Sequence, residues 1–63
     1  MKISLEAARV NAGLNKARAA KLLGLSVPTL TKTERGKRKL KPIELEGMAK
    51  LYGIDKQYLS VDA

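Results

Sequence analysis

The cationic side chains of this chain are concentrated in one continuous stretch, residues 15–41. That stretch holds nine Lys or Arg residues and a single acid, Glu34, which gives it a net charge of +8. The remaining residues have a net charge of −1, so the overall +7 comes from this stretch alone. Such a concentration of positive charge is typical of a surface that binds a polyanion. A solvated face that only aids solubility is the alternative.

The residue types needed for most catalytic and metal chemistry are absent. The 63 residues include neither Cys nor His. A disulfide framework, a thiolate metal site and an imidazole base are therefore excluded. We find no nucleophile–base pair, metal cluster or phosphate-binding glycine loop among the residues that remain. We predict no catalytic residue, no metal, no cofactor and no small-molecule substrate.

The sequence also lacks the pattern of a membrane or secreted protein. No apolar run approaches the roughly 18 residues that a membrane span requires. The N-terminal segment has Glu6 and Arg9 where a signal peptide would be continuously apolar. We therefore expect a soluble, unprocessed chain in the cytoplasm, associated with the bacterial nucleoid and not with a membrane.

Apolar spacing, N-cap residues and glycines predict one all-α domain over residues 1–63, with five short helices and no strand. We place the helices at about 5–12, 16–23, 27–35 and 42–52, with a last short one after Asp55. The start of the third helix is left open between Ser26 and Val27, because Pro28 follows. The predicted inward residues are Leu5, Ala8, Ala12, Ala19, Ala20, Leu22, Leu23, Leu30, Leu45, Met48, Ala49 and Tyr52. Lys41 is a poor N-cap, and Gly47 is expected to cost its helix about 1 kcal/mol.

Five segments in this order resemble the lambda-repressor-like helix-turn-helix family, which includes phage repressors and Cro proteins. They are Gly13-Leu14-Asn15, Ala19-Ala20-Lys21-Leu22-Leu23-Gly24-Leu25-Ser26, Thr29-Leu30, Glu34-Arg35-Gly36-Lys37-Arg38-Lys39 and Met48-Ala49-Lys50-Leu51-Tyr52-Gly53-Ile54. The resemblance covers about residues 4–59. It implies a compact five-helix DNA-binding domain with the helix-turn-helix at helices 2 and 3, about residues 15–36. It also implies that the helix at about 27–35 is a recognition helix in the major groove.

Four outward positions of that helix are predicted to contact bases: Val27, Pro28, Thr31 and Lys32. Lys32 is suited to guanine O6 and N7, with phosphate contact or solvation as alternatives. Thr31 can hydrogen-bond to several bases, and Val27 can contact a thymine methyl group or pack at the turn. Pro28 acts only sterically. Because few amide or guanidinium groups are present, we expect DNA shape to contribute to sequence choice.

A second set of side chains is predicted to contact phosphates: Lys16, Arg35, Lys37, Arg38, Lys39 and Lys41. Lys16 lies in the first turn of its helix, where the helix dipole also favours a phosphate. Glutamine is common there in the family, so Lys16 is a departure that favours non-specific attraction. With roughly five phosphate contacts, the logarithm of affinity should fall with the logarithm of salt at a slope of about −4 to −5.

The resemblance also implies that Arg9 and Glu34 approach each other and fix the recognition helix against the scaffold. Thr33 and Ala8 stand where the family often has larger apolar residues, which predicts a thin core. Tyr58 and Val61 are predicted contacts of a homodimer on DNA, although Tyr58 has an alternative role in covering its own core.

The function that follows is sequence-specific binding of double-stranded DNA by a transcriptional regulator. A repressor or Cro-like protein of phage or mobile-element origin is preferred, bound as a dimer to half-sites about 34 Å apart. The alternative is a protein-interaction module of the same fold, such as an antitoxin or the partner of an antirepressor. A basic peptide on a membrane surface is disfavoured, because the short helices provide no wide apolar face.

Overall fold

A computed structural model describes residues 2–61. Within these residues the chain forms four α-helices, one 3₁₀ turn and two short strands. In chain order they are β1 (Ile3–Ser4), α1 (Leu5–Asn11), α2 (Lys16–Leu23), α3 (Val27–Glu34), α4 (Pro42–Tyr52), the 3₁₀ turn (Lys56–Tyr58) and β2 (Leu59–Ser60). None of the helices in this part of the chain has both the length and the apolar character needed to cross a bilayer.

The first three α-helices begin at side chains that accept a hydrogen bond from the backbone of the first turn. Ser4 Oγ accepts from the N–H of Ala7 at 3.0 Å, and Asn15 Oδ1 accepts from that of Arg18 at 2.8 Å. Ser26 Oγ does the same for Thr29 at 3.2 Å. These bonds satisfy N–H groups that have no partner inside the helix. Ser26 is therefore the N-cap of α3, and Val27 is its first residue.

The core lies between the four helices, around the fully buried side chains of Leu30 and Met48. Most of the predicted inward residues pack here, but Leu22 is 50% exposed. The buried side of α2 is centred on Ala19 and Ala20, and Leu22 lies roughly 100° around the helix from the middle of that narrow stripe. Ala12 is also exposed, because α1 has ended and Ala12 is its C-cap.

The segment after Asp55 differs from the predicted fifth helix. It forms a single 3₁₀ turn, in which Asp55 Oδ1 accepts from the N–H of Gln57 at 3.0 Å. The chain then extends as β2 and pairs in parallel with β1, with Ile3 opposite Leu59. Leu59, the first residue of β2, is buried in the core. A fifth α-helix is thus not confirmed, since a 3₁₀ turn stands at its predicted place. The prediction of no strand was wrong, although the described fold is otherwise helical.

Candidate nucleic-acid interface

Helices α2 and α3 are joined by a three-residue turn that begins with Gly24. Gly24 has φ +72°, a left-handed conformation that glycine adopts at little cost. Helix α3 then presents Val27 and Pro28 to solvent in its first turn and Lys32 in its last turn, while Thr31 is half-buried. At about 100° per residue the four predicted base-contact positions lie on one face of the helix, three of them exposed and Thr31 half-buried between them.

The opposite side of α3 is packed and hydrogen-bonded. Leu30 is fully buried, and Thr33 is buried beside it. Thr33 Oγ1 donates to the carbonyl oxygen of Thr29 at 2.8 Å, so this buried hydroxyl has a partner. Thr33 is thus a polar member of the core, at a position that we had considered only for its small volume.

The structure brings Arg9 of α1 and Glu34 of α3 together. Arg9 Nε lies 2.7 Å from Glu34 Oε2, and Arg9 Nη1 donates to the carbonyl oxygen of Leu14 at 2.9 Å. The hydrogen bond that Arg9 donates to Glu34 raises the pKa of Arg9 above its ordinary value, against the opposing effect of burial. Tyr52 lies close enough for both charges to affect it, and burial is the main cause that raises the pKa of its hydroxyl. This pair ties the C-terminal end of α3 to α1.

A glycine ends α3 and directs the chain into the segment that we call the basic loop, residues 36–41. Gly36 has φ +71°. Its N–H donates to the carbonyl oxygen of Thr33 at 3.2 Å, and the N–H of Lys37 donates to that of Lys32 at 2.8 Å. These two bonds form a Schellman motif, which satisfies carbonyl groups at the helix end.

Arg38, in the basic loop, is engaged by two other elements. Its Nη1 donates to Thr33 Oγ1 at 3.2 Å, and its Nη2 forms an ion pair with Glu44 Oε2. The other oxygen of Glu44 accepts from the backbone N–H of Lys41 at 2.9 Å. The hydrogen bond from Arg38 is the main cause that lowers the pKa of Glu44, followed by that from Lys41. Arg38 is therefore less available to a phosphate than the sequence suggested.

Comparison with known families shows which family contains this arrangement of α2, turn and α3. The sequence profile of the helix-turn-helix domain matches residues 3–59. The chain belongs to this helix-turn-helix family. The match is consistent with helix-turn-helix proteins of the Cro and lambda-repressor type, and such a domain indicates a DNA-binding regulator. Comparison with curated proteins and with solved structures gave no match.

Apart from Arg38, the predicted phosphate contacts of this helix-turn-helix domain are free of ion pairs within residues 2–61. Lys16 is half-buried at the first position of α2, and the others are exposed. The exposed members are Arg35, Lys37, Lys39 and Lys41. Across the described part of the chain, no group of three or more acidic residues lies together as metal ligands would.

Sequence reasoning missed Glu44 and Thr33 as partners of Arg38. One usable signal was present, because Glu44 follows Pro42 at the third position of α4. A carboxylate at that position commonly accepts from the N-cap N–H. Lys41 makes no side-chain capping bond, as expected of a poor N-cap, and Glu44 supplies the complementary bond.

Two further features lie on the surface of the helix-turn-helix domain. Tyr58 and Val61, the predicted dimer contacts, are both about half exposed, and Val61 lies beside Leu40 at a shallow cleft lined by the basic loop. A second, mainly apolar cleft lies between the turn after α2 and the first turns of α4. Its lining includes Leu25 and Ile43, and Ile43 is 73% exposed.

Proposed function

We propose that this domain binds double-stranded DNA sequence-specifically and regulates transcription, with α3 as the helix in the major groove. The observation that carries the proposal is the two-sided character of α3. One face is exposed at Val27 and Pro28 in the first turn and at Lys32 in the last turn, whereas the opposite side is fixed by Leu30 and by the ion pair of Glu34. A rigid helix with a free face at its N-terminal end is what major-groove docking requires.

Sequence choice is assigned to the exposed face of α3. Lys32 can donate to guanine O6 and N7, and Val27 can contact a thymine methyl group. Thr31, half-buried on the same face, can hydrogen-bond to a base that lies close to the helix. Pro28 shapes the contact surface without donating. With so few hydrogen-bonding groups, DNA shape supplies part of the selectivity.

Affinity is assigned to the cations that flank α3. Lys16 lies before it, in the first turn of α2, and the others lie at its C-terminal end or in the basic loop: Arg35, Lys37, Lys39 and Lys41. Each phosphate that is neutralised releases counterions, so these five cations correspond to a salt slope of about −4 to −5. Phosphate contacts also set the orientation of the domain on the duplex without selecting sequence.

The type of regulator is proposed from the resemblance. We assign a repressor or Cro-like role of phage or mobile-element origin, in the cytoplasm and on the nucleoid. A homodimer formed through Tyr58 and Val61, both exposed, would place two copies of α3 on half-sites about 34 Å apart.

The experiment combines selection from a random DNA duplex pool with binding at several salt concentrations. We expect an enriched half-site and an affinity that falls with the slope given above; a flat response to salt would exclude DNA as the partner. Lys32→Ala should change the selected sequence. Lys37→Ala should weaken binding to all sequences alike and reduce the magnitude of the salt slope by about 0.9.

The matched control is Lys2→Ala, which removes an exposed cation outside the basic stretch. It should change neither the selected sequence nor the salt slope. An unchanged motif for Lys32→Ala would remove Lys32 from the base contacts.

The second candidate function is a protein-interaction module of the same fold. The apolar cleft beside Ile43 is the observation that favours it, because apolar surface is typical of partner binding. The concentration of charge in residues 15–41 favours DNA instead. If salt-dependent DNA binding is absent, the cleft becomes the next site to test, by binding measurements with Ile43→Ser.

A further inference from the structure

The basic loop carries a large share of the proposed phosphate contacts, yet it has no helix or strand of its own. Its residues 36–41 lie between Arg35, the C-cap of α3, and the first turn of α4. Lys37, Lys39 and Lys41 are exposed, whereas Leu40 and Arg38 are half-buried. The position of the exposed cations therefore depends on the few contacts that hold the loop.

One carboxylate holds this loop at two points. Glu44 Oε2 binds the guanidinium of Arg38 in the middle of the loop, and Glu44 Oε1 binds the backbone N–H of Lys41 at its end. Arg38 also donates to Thr33 of α3. The planar guanidinium, with several donors in fixed directions, is suited to bridging two acceptors in this way. The network therefore connects α3, the basic loop and α4.

We propose that Arg38 and Glu44 are positioning residues, which hold the basic loop in the conformation that presents Lys37, Lys39 and Lys41 to the DNA backbone. This inference rests on the proposed function. It replaces the prediction that Arg38 itself contacts a phosphate. A loop that is ordered before binding does not lose its conformational freedom in the complex, so the pair increases affinity without adding a contact.

The direction in which a substitution at Glu44 changes DNA affinity distinguishes this proposal from an effect of charge alone. Glu44 is a negative charge close enough to Arg38 and Lys41 for both charges to act on it, and it therefore opposes the attraction of this region for a polyanion. If charge alone mattered, removing the carboxylate would tighten DNA binding. If Glu44 positions the loop, the same change weakens DNA binding.

The decisive experiment compares Glu44→Gln with Glu46→Gln at a fixed salt concentration. Both residues lie on α4, both form an ion pair, and both substitutions remove one negative charge. Glutamine at position 44 has a single side-chain oxygen, so it cannot accept from Arg38 and from the N–H of Lys41 as two separate oxygens do. We expect Glu44→Gln to weaken DNA binding about threefold to tenfold, which corresponds to the ordering cost of roughly one residue. Glu46→Gln should bind at least as tightly as the unmodified chain.

Two further variants and a relaxation measurement test the mechanism. Arg38→Lys keeps the charge but loses the two-acceptor geometry, so we expect a loss of affinity similar to that of Glu44→Gln, with the salt slope unchanged. Lys37→Ala should reduce the slope, because it removes a phosphate contact.

In the free protein, backbone ¹⁵N relaxation at Lys37 and Lys39 should show greater motion in Glu44→Gln and not in Glu46→Gln. Circular dichroism at the assay temperature establishes that each variant is folded.

The outcomes distinguish the inference from the function on which it rests. If the unmodified chain binds DNA, but Glu44→Gln binds as tightly as Glu46→Gln or more tightly, the positioning role is overturned and the proposed function stands. Unchanged motion of the loop in Glu44→Gln also overturns it. If the unmodified chain shows no salt-dependent DNA binding, both proposals fail, whatever the variants do.

Discussion

Two arginine–glutamate pairs lie at the C-terminal side of α3, and they differ in burial and in the elements they join. The side chains of Arg9 and Glu34 are 7% and 3% exposed, and they connect α1 to the last turn of α3. Those of Arg38 and Glu44 are 28% and 24% exposed, and they connect the basic loop to α4. The first pair thus lies within the scaffold, whereas the second lies at its edge, among the cations proposed to bind DNA.

The comparison shows that burial separates the roles of chemically identical pairs. A buried charge that loses its partner is left without water or a counter-charge, so removing one partner is strongly destabilising even if the net contribution of the pair is small. A partly exposed group is still solvated when its partner is removed. We therefore expect the buried pair to affect the stability of the whole domain and the exposed pair to affect mainly the order of one loop.

The largest effect is expected from Arg9→Ala. The substitution leaves the Glu34 carboxylate buried and removes the bond to the carbonyl oxygen of Leu14. Breaking a buried pair in this way should lower the free energy of unfolding by about 3–5 kcal/mol. This loss is comparable with the total stability of a small domain. Urea denaturation followed by circular dichroism measures it.

The matched control for Arg9→Ala is Glu6→Gln. Glu6 also lies near Arg9, at 3.8 Å, but its side chain is 65% exposed. We expect almost no change in the urea midpoint, as for most exposed ion pairs. A loss in Arg9→Ala no greater than in this control would contradict the assigned role of the buried pair.

A smaller effect is expected from Arg38→Ala. Because Glu44 is partly exposed and keeps its bond from the N–H of Lys41, the midpoint of thermal unfolding should fall by only a small fraction of the decrease seen for Arg9→Ala. Differential scanning calorimetry of the two variants gives the comparison directly. Equal decreases of the unfolding midpoint in the two variants would show that the buried pair is no more important for stability than the exposed one.

The smallest effect concerns pH. Arg38 lowers the pKa of Glu44, so the pair contributes fully above the ordinary glutamate range, near pH 4.3, and this contribution is lost as pH falls through the lowered pKa. The Arg9 pKa is instead raised, so its charge is retained throughout that range. In Arg38→Ala, the Glu44 carboxyl carbon should titrate at higher pH than in the unmodified chain, as followed by ¹³C NMR. Identical titration curves would contradict the proposed hydrogen bond.

The sequence predicted the features that depend on local patterns. Ser4, Asn15 and Ser26 are N-cap residue types followed by helical spacing, and the structure places a helix after each. The approach of Arg9 to Glu34 followed from the family resemblance, because no local spacing relates residues 25 positions apart. The match to the helix-turn-helix profile confirms that resemblance at the level of the family.

The features that were missed depend on tertiary contacts. The strands have only two residues each, too few to show an alternating pattern. The pairing of Arg38 with Glu44 crosses an irregular loop, where separation in sequence does not predict distance. Leu22 was assigned to the core because it is apolar, although the narrow buried stripe of α2 excludes it. The base and phosphate contacts stay predictions, because they require the DNA.

The pairing of β1 with β2 has a consequence for the order of folding. It joins Ile3 to Leu59, across almost the whole chain, whereas α2, α3 and their turn are neighbours in sequence. Closing a loop of that length directly would cost roughly 3–4 kcal/mol of chain entropy. We therefore expect the helix pair to form early and the strand pair to form late. Substitutions at Ile3 should then accelerate unfolding more than they slow folding.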